Sequence, residues 1–442
     1  MPASPFDSAI YRDLFLDPEV GSLFTDSAEI RAMLLVEGAL AKAQGSHGLI
    51  PEISGAAIHR SAQEVLIDPG SLAAETGQSA VVVPALVKAL RTAMQAPEHA
   101  QYIHWGATSQ DIMETGLILR LRQVMAIYDK RLTSLAKTLG RVAQTHADLP
   151  MAARTYGQTA TVTSFGAVVA SWGQPLLRHH TRLTPVRDDL LCVSLSGAAG
   201  TLSAMGNSGP AIRSTLAKAL KLQDPGGSWH SERDRIGALS GWITGTAATL
   251  GKMGEDLILL TQSGVQEVTL AQTGGSSTMP QKSNPVLPSL LVALSHHITA
   301  LNTAMQGAGL HRQQRDGAAW FTEWLILPQL CLGFARALAV AEDLAASLGP
   351  NPKAMAQGIN DGLGLIYAEA LSFALAAHMP RPKAQAAVKT LCNTARATAT
   401  PLAELAMAAH PGQIDPGLFS PAAQLGTAPA EARAFADKAA KL

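Results

Sequence analysis

Apolar side chains recur at steps of three and four along nearly the whole chain. The clearest stripe starts at Ile112 and runs through Leu117, Leu121, Val124, Tyr128, Leu132, Leu135, Leu139 and Val142, with no proline before about Asp148. That spacing predicts one helix over 112–148, which at 1.5 Å per residue is about 55 Å long. Asp111, immediately before it, is placed as its N-cap. Four more long helical stretches follow. Thr161–Leu191 carries Pro175 and Pro185, which predict a kink or a break. Ile236–Val268 is rich in Gly, Ala and Thr, so neighbouring helices can approach it closely. Pro285–Met305 opens on Asn284-Pro285, a cap followed by proline at the first helical position. Gly317–Leu348 presents Trp320, Trp324 and Leu327 before Pro328 bends it.

Five long helices between 112 and 350 predict a bundle. Period-two strand patterns are scarce, so the predicted fold class is all-α. Shorter helices flank the bundle: Ser27–Gly48 and Ala85–Met94 before it, Ala354–His378 and Pro382–Ala397 after it, then a Pro- and Gly-punctuated tail from Pro411. The layout is three helical domains: 1–111, the bundle 112–350, and 351–442.

Composition narrows the function classes. Lys and Arg number 34 and so do Asp and Glu, so there is no cationic surplus to grip a nucleic-acid backbone or an acidic membrane. A chain of 442 residues is too long for one compact core. Only 15% of its residues are charged, which suits a chain with much surface buried in an oligomer. An Ala-rich composition inherited from a GC-rich genome would give the same figure. Cys192, Cys331 and Cys392 stand far apart, which fits a reducing compartment and excludes a disulfide framework. The first eleven residues show no signal-peptide pattern. The longest apolar run, Trp324 to Ala335, contains Gln329 and ends at Arg336, so no membrane span is expected and the expected location is the cytoplasm.

Four segments carry candidate chemistry. The most unusual is Gly274-Gly275-Ser276-Ser277-Thr278-Met279-Pro280-Gln281-Lys282-Ser283-Asn284-Pro285. A serine on such a loop can act as an acid or base if backbone N–H groups, Lys282 and a helix N-terminus stabilise its alkoxide. An ordinary Gly/Ser connector is the plain alternative. His104-Trp105-Gly106-Ala107-Thr108-Ser109-Gln110-Asp111 enters the first long helix; its hydroxyls either cap the helix or meet a polyanionic ligand. Arg154 to Thr161 marks the turn into the second long helix, where Arg154 offers a carboxylate fork and Gln158 an amide. Trp229–Arg235 and Arg312–Asp316 put arginines at two further helix entries, where solvent exposure is the usual explanation. The pairs His179-His180 and His296-His297 diverge on a helix and read as surface or packing histidines. With no HExxH, phosphate loop, GxSxG or dinucleotide fingerprint, neither metal nor cofactor is expected.

Taken together and in this order, the segments resemble the fumarase/aspartase superfamily. Its GSSxMPxKxNP loop is matched by residues 274–285, and the HWGATSQDIMETG run from His104 to Gly116 looks most like the 3-carboxy-cis,cis-muconate cycloisomerase branch. Further similarity lies at SGAAGT (196–201), WHSERDR (229–235) and the Trp320–Trp324 segment. The resemblance implies a homotetramer with a twenty-helix core and active sites built by three subunits. It implies Ser276 and His104 as catalytic residues. The substrate-binding set it implies is Thr108, Ser109, Arg154, Thr155, Tyr156, Gln158, Ser277, Met279, Lys282, Asn284, Arg233 and Arg315, around a small polycarboxylate.

Tyr156 stands where adenylosuccinate lyases carry a catalytic histidine, which argues against an amine-releasing reaction. Thr159, Gln281 and Gln313 also stand where related sequences often carry histidine. The favoured expectation is closure of a carboxylated muconate to a lactone. A fumarate-releasing lyase of the adenylosuccinate or argininosuccinate type, and an inactive helical tetramer, are the other readings.

Overall fold

The computed structural model describes residues 4–271, 274–275, 278–279 and 281–442. Ser276, Ser277 and Pro280 lie outside the described residues. The fold is all-α, as expected. The five long helices are Ser109–Thr145, Phe165–Leu190, Asp234–Thr261, Val286–Ala308 and Gly317–Ala346. The first has 37 residues, about 55 Å at 1.5 Å per residue. Of its predicted stripe, Ile112, Leu121, Val124, Tyr128, Leu132, Leu135 and Leu139 are buried.

The chain groups into two compact units, and each long helix gives one stretch to each. The first unit comprises Met1–Lys130, His180–Ala247 and Leu294–Ala337. Its N-terminal layer pairs helix Asp26–Ser46, capped by Thr25 Oγ1, with helix Glu52–Glu64. They approach so closely that a Cβ on Gly55 would stand 2.6 Å from the Ala41 carbonyl oxygen. Deeper in the unit the Tyr128 ring packs between Trp242 and Phe334, and its hydroxyl donates to the Cys331 carbonyl at 2.7 Å. Helix Gly317–Ala346 is long and apolar enough by composition to cross a membrane, but most of its apolar window is buried against protein.

The second unit comprises Arg131–His179, Ala248–Ala293 and Leu338–Leu442. Here Trp172 Nε1 donates to Asp256 at 2.6 Å. The punctuated tail ends in a further helix, Ala428–Ala440, whose Phe435 ring lies directly over Gly173.

Several sequence expectations are corrected. Neither Pro175 nor Pro185 breaks helix Phe165–Leu190. Each proline removes only one N–H, and burial of Trp172, Leu176, Leu183 and Leu190 holds the helix together. The polar turn expected at Arg154 is an antiparallel hairpin, Pro150–Thr155 with Gln158–Ser164. Its two-residue tip, Tyr156-Gly157, has φ of 52° and 74°, the mirror-image turn that matches strand twist. The helix expected over Ala354–His378 is interrupted after Asn360 and resumes at Ala368. The fourth long helix starts at Val286, so Pro285 rather than Asn284 stands at its cap position. All three cysteines are free, and burial pushes the Cys192 thiol to about 11 and the Cys331 thiol to about 12.

Candidate active site

The N-terminus of helix Ser109–Thr145 is the organising feature of the first unit's site. Asp111, expected as the cap, lies inside the first turn and is fully buried. Its carboxylate returns to the Thr108 N–H at 3.0 Å, while the Asp111 N–H donates to the Thr108 carbonyl. Thr108 is therefore the residue at the cap position, in a box closed by Asp111. The same carboxylate accepts from Ser196 N–H (2.8 Å), Gly197 N–H (3.0 Å) and His230 Nε2 (2.8 Å). Two segments singled out in the sequence, 196–201 and 229–235, are thus pinned over this helix end by one buried acid. Gly197 is needed there: its φ is +73°, and a Cβ would meet the Gly106 carbonyl oxygen at 3.3 Å.

His104 is held in the left-handed region, φ 63°, which a non-glycine residue adopts only when its surroundings enforce it. Its Nδ1 bonds Glu37 Oε1 at 2.7 Å, and Glu37 is 1% exposed. Burial works to lower the His104 pKa, but the charge and hydrogen bond of Glu37 outweigh it, so the net shift is upward. The upward shift favours the protonated imidazole, and Nε2, free of protein hydrogen bonds among the described residues, is available to a carboxylate. The half-buried hydroxyls of Thr108 and Ser109 also make no hydrogen bond among the described residues.

Arg315 reaches the same helix end. Its Nε donates to Gln110 Oε1 at 2.6 Å and its Nη2 to the Ala198 carbonyl at 3.3 Å. His104, Thr108, Ser109 and Arg315 are therefore gathered in one unit around one turn of helix.

Arg233 is a correction. Expected among substrate ligands, it is 4% exposed and its guanidinium is taken: Nη1 by Glu114 at 2.7 Å, Nη2 and Nε by Glu323 at 2.6 and 3.0 Å. It also stacks on Trp229, 5.0 Å from the ring centroid. Solvent exposure, the usual explanation for such an arginine, does not hold here.

The second unit holds the remaining described residues. Thr155, Tyr156 and Gln158 are exposed at the hairpin, Tyr156 completely so (104%). Arg154 does offer a bidentate fork, but Glu267 occupies it, through Nη1 at 2.7 Å and Nη2 at 3.0 Å. That hydrogen bond raises the Arg154 pKa further. Gly274 and Asn284 close the loop by a pair of backbone hydrogen bonds, 2.9 and 2.8 Å. Between them, Met279 is 41% exposed and Lys282 is exposed with no ion pair to a described residue.

Sequence reasoning missed Glu37, Glu114, Glu267 and Glu323, the carboxylates that hold the candidate cations. Each lies far along the chain from its partner; Glu114 and Glu323 sit within quoted motifs (104–116 and 320–324), but nothing local says which cation they hold. A groove of ≈840 Å³ in the first unit, lined by Arg31, Lys42, Leu119 and Arg122 among others, contains none of the candidate residues. Among the described residues no group of three or more His, Cys, Asp and Glu is placed to hold a metal ion.

A helix end that gathers an imidazole with a raised pKa, free hydroxyls and a guanidinium suits a polyanion, and the long-helix architecture around it is that of a lyase. The family model described as Lyase matches residues 17–299, and the chain belongs to that family. Among curated proteins it is similar to the 3-carboxy-cis,cis-muconate cycloisomerase of Pseudomonas aeruginosa, 37% identical over 389 residues, covering 86% of this chain and 84% of that protein. It is also similar to the enzyme of the same name from Acinetobacter baylyi, 34% identical over 433 residues, covering 95% and 96%. Among solved structures it resembles the 3-carboxy-cis,cis-muconate lactonizing enzyme from Pseudomonas putida, with TM-score 0.92 and 32% identity, covering 98% and 99%.

Proposed function

We propose that this chain closes 3-carboxy-cis,cis-muconate, or a closely related substituted muconate, to its muconolactone, in the breakdown of aromatic compounds. The observation that carries the reading is the end-to-end likeness to cycloisomerases, in sequence and in fold. The reaction is an isomerisation. One substrate carboxylate adds through oxygen to an alkene carbon, the π electrons move to the neighbouring carbon, and that carbon takes a proton. The intermediate carbanion is stabilised by delocalisation into an adjacent carboxylate, which becomes a dianion. Fixed cations and hydrogen-bond donors around that carboxylate lower the barrier, because they meet charge that develops only in the transition state.

The roles follow from the chemistry of each group. Ser276 delivers the proton to carbon and removes it in the reverse direction. Lys282, with Asn284, Ser277 and Met279 of the same loop, surrounds the carboxylate that becomes the dianion. His104 orients the substrate as an imidazolium, and Thr108, Ser109 and Arg315 bind a second carboxylate. Arg154, Thr155, Tyr156 and Gln158 supply the third wall. For Arg154 the donors left beside Glu267 are Nε–H and the second N–H of each terminal nitrogen. No amine leaves in this reaction, so no second acid is needed, and Tyr156 in place of histidine is accommodated.

The assembly in this reading is a homotetramer, with each site drawn from three subunits and with 1–111, 112–350 and 351–442 as its domains. Exposure of Phe321 (40%) and Leu325 (70%) on one long helix, and of Leu259 (55%) on another, supports burial between chains. So does the solvent-exposed hairpin tip. The free cysteines, Cys192 and Cys331 buried and Cys392 half-buried, suit a reducing compartment, the cytoplasm.

The test is an absorbance assay with 3-carboxy-cis,cis-muconate, muconate and adenylosuccinate, with the product identified by NMR. Lactone formed only from the muconates is the expected result. Fumarate released from adenylosuccinate, with no lactone, would overturn the proposal. Light scattering should give a tetramer, and a monodisperse active monomer would refute the assembly.

A further inference from the structure

Beneath Arg315 lies a side chain that the reaction itself does not call for. Gln110 is fully buried in the first turn of helix Ser109–Thr145. Its Nε2 donates twice, to Glu114 Oε1 at 2.6 Å and to the His230 carbonyl oxygen at 2.9 Å. Its Oε1 accepts from Arg315 Nε at 2.6 Å. This amide has only one workable orientation. A guanidinium Nε–H can only donate, so the group facing it must be the oxygen, and the two acceptors on the other side demand the NH₂. Turning the amide over would set donor against donor at Arg315 and acceptor against acceptor at both other contacts.

The acceptors are themselves immobile. Glu114 Oε1 also receives Arg233 Nη1 at 2.7 Å, and Arg233 is clamped from its other side by Glu323. The His230 carbonyl belongs to a residue whose ring is tied to the fully buried Asp111. Arg315, by contrast, is half-buried at the site's edge and has one other contact, 3.3 Å to the Ala198 carbonyl. A buried network therefore runs from Arg233 through Glu114 to Gln110 and ends on the candidate substrate cation.

We propose that Gln110 is a positioning residue, whose amide oxygen fixes the Arg315 guanidinium for a substrate carboxylate while its NH₂ group belongs to the buried network. Fixing Nε leaves Nη1 and the second N–H of Nη2, whose other N–H reaches Ala198, for a carboxylate. The entropy of immobilising a long side chain is met on folding rather than at each binding event. The inference rests on Arg315 being a substrate ligand in the proposed reaction.

Two substitutions separate the two halves of the amide. Gln110→Met keeps the length but removes the acceptor and both donations; Gln110→Glu, ionised, removes the donations alone and keeps an acceptor for Arg315, so the difference between the two reads the acceptor. With lactone closure as the assay, Gln110→Met should lower kcat/KM about 10- to 100-fold, chiefly through KM, as misplacing a binding group by about 1 Å does. Gln110→Glu should keep KM near the parent value and show its damage in the thermal midpoint instead. Arg315→Met should raise KM at least as much as Gln110→Met. The double variant Gln110→Met/Arg315→Met should be no worse than Arg315→Met alone, since one acts through the other.

Additive losses in the double variant would overturn the proposal. If Gln110→Met does not fold, a folded Gln110→Glu with KM raised as far as in Arg315→Met would overturn it equally. An unchanged KM in Arg315→Met would instead remove the premise that Arg315 binds substrate, and the positioning role would fall with it.

Discussion

Arg233→Met is the substitution that best separates motif from structure, because the sequence puts this residue with the substrate ligands and the geometry puts it in the core. The guanidinium makes three charge-assisted bonds to two carboxylates that are each 2% exposed at the side chain. Methionine fills much of the volume but leaves Glu114 and Glu323 without their cation. Removing one partner of a buried ion pair costs about 3–5 kcal/mol. Two carboxylates lose a partner here, but protonation offers relief that keeps the total near that range, at 1.36 kcal/mol per unit of pKa shift.

That relief gives the loss a pH dependence. Burial already raises the Glu114 pKa, against the opposing pull of Arg233, so the folded chain holds that proton more readily than the unfolded chain. A carboxyl shifted upward favours the folded state increasingly as pH falls through its folded pKa toward the usual carboxylate range. Without Arg233 the shift grows, so the variant's deficit should be largest at neutral to alkaline pH and should shrink on acidification. Urea denaturation followed by circular dichroism, at pH 8 and pH 5.5 and one protein concentration, measures both values. The fraction that remains folded should keep KM near the parent value. Parental stability at both pH values together with a raised KM would refute the structural reading and return Arg233 to the substrate.

Glu37→Gln should lower the His104 pKa below its ordinary 6.5, since burial and Arg91 then outweigh the remaining pull of the Asp111 charge; histidine NMR follows the titration. In the parent the protonated pair stabilises the fold fully below the unfolded pKa and loses that contribution as pH rises through the raised folded pKa; in Glu37→Gln, with the folded pKa lowered, the sign should reverse and this site should favour folding more as pH rises. Gly173→Ala drives a methyl into the Phe435 ring and should cost about 1–3 kcal/mol by thermal or urea denaturation; an unchanged midpoint would contradict the packing of the C-terminal helix. Ser276→Ala should lower kcat by several orders of magnitude with little change in binding, whereas Ser277→Ala should be milder; near-parental turnover in Ser276→Ala would remove it as proton donor. Ser276→Ala and Arg154→Ala, each inactive, should recover activity when mixed and reassembled, and no recovery in proven mixed tetramers would put the site within one chain.

The helices were legible in the sequence because burying one face imposes a spacing on the residues themselves. Ile112, Leu121, Val124 and Tyr128 announce their helix without reference to anything distant, and all four are buried. The hairpin from Pro150 to Ser164 was not legible in the same way. Its strands, PMAART and QTATVTS, carry Ala and Thr where large apolar residues would mark alternation, and its tip carries Tyr rather than the Asn or Asp that usually signals such a turn. Pro175 and Pro185 misled because their local rule was read without the packing that overrides it. The site divides along the same line. Motifs supply residue types, and Thr108, Ser109, His104 and Arg315 do meet at one helix end.

Motifs do not say which cation faces the ligand and which is consumed by the fold. Arg233 and Arg315 are both arginines at helix entries, one spent on Glu114 and Glu323, 119 and 90 residues away, the other held by a neutral amide. An arginine whose partners are carboxylates has its charge neutralised in the fold. One held only by uncharged oxygens, as Arg315 is by Gln110 and Ala198, keeps its full charge and still has unused N–H donors. That contrast is why the proposed reaction assigns a substrate carboxylate at this helix end to Arg315 rather than to Arg233, and the partner's charge behind it is visible only in the folded chain.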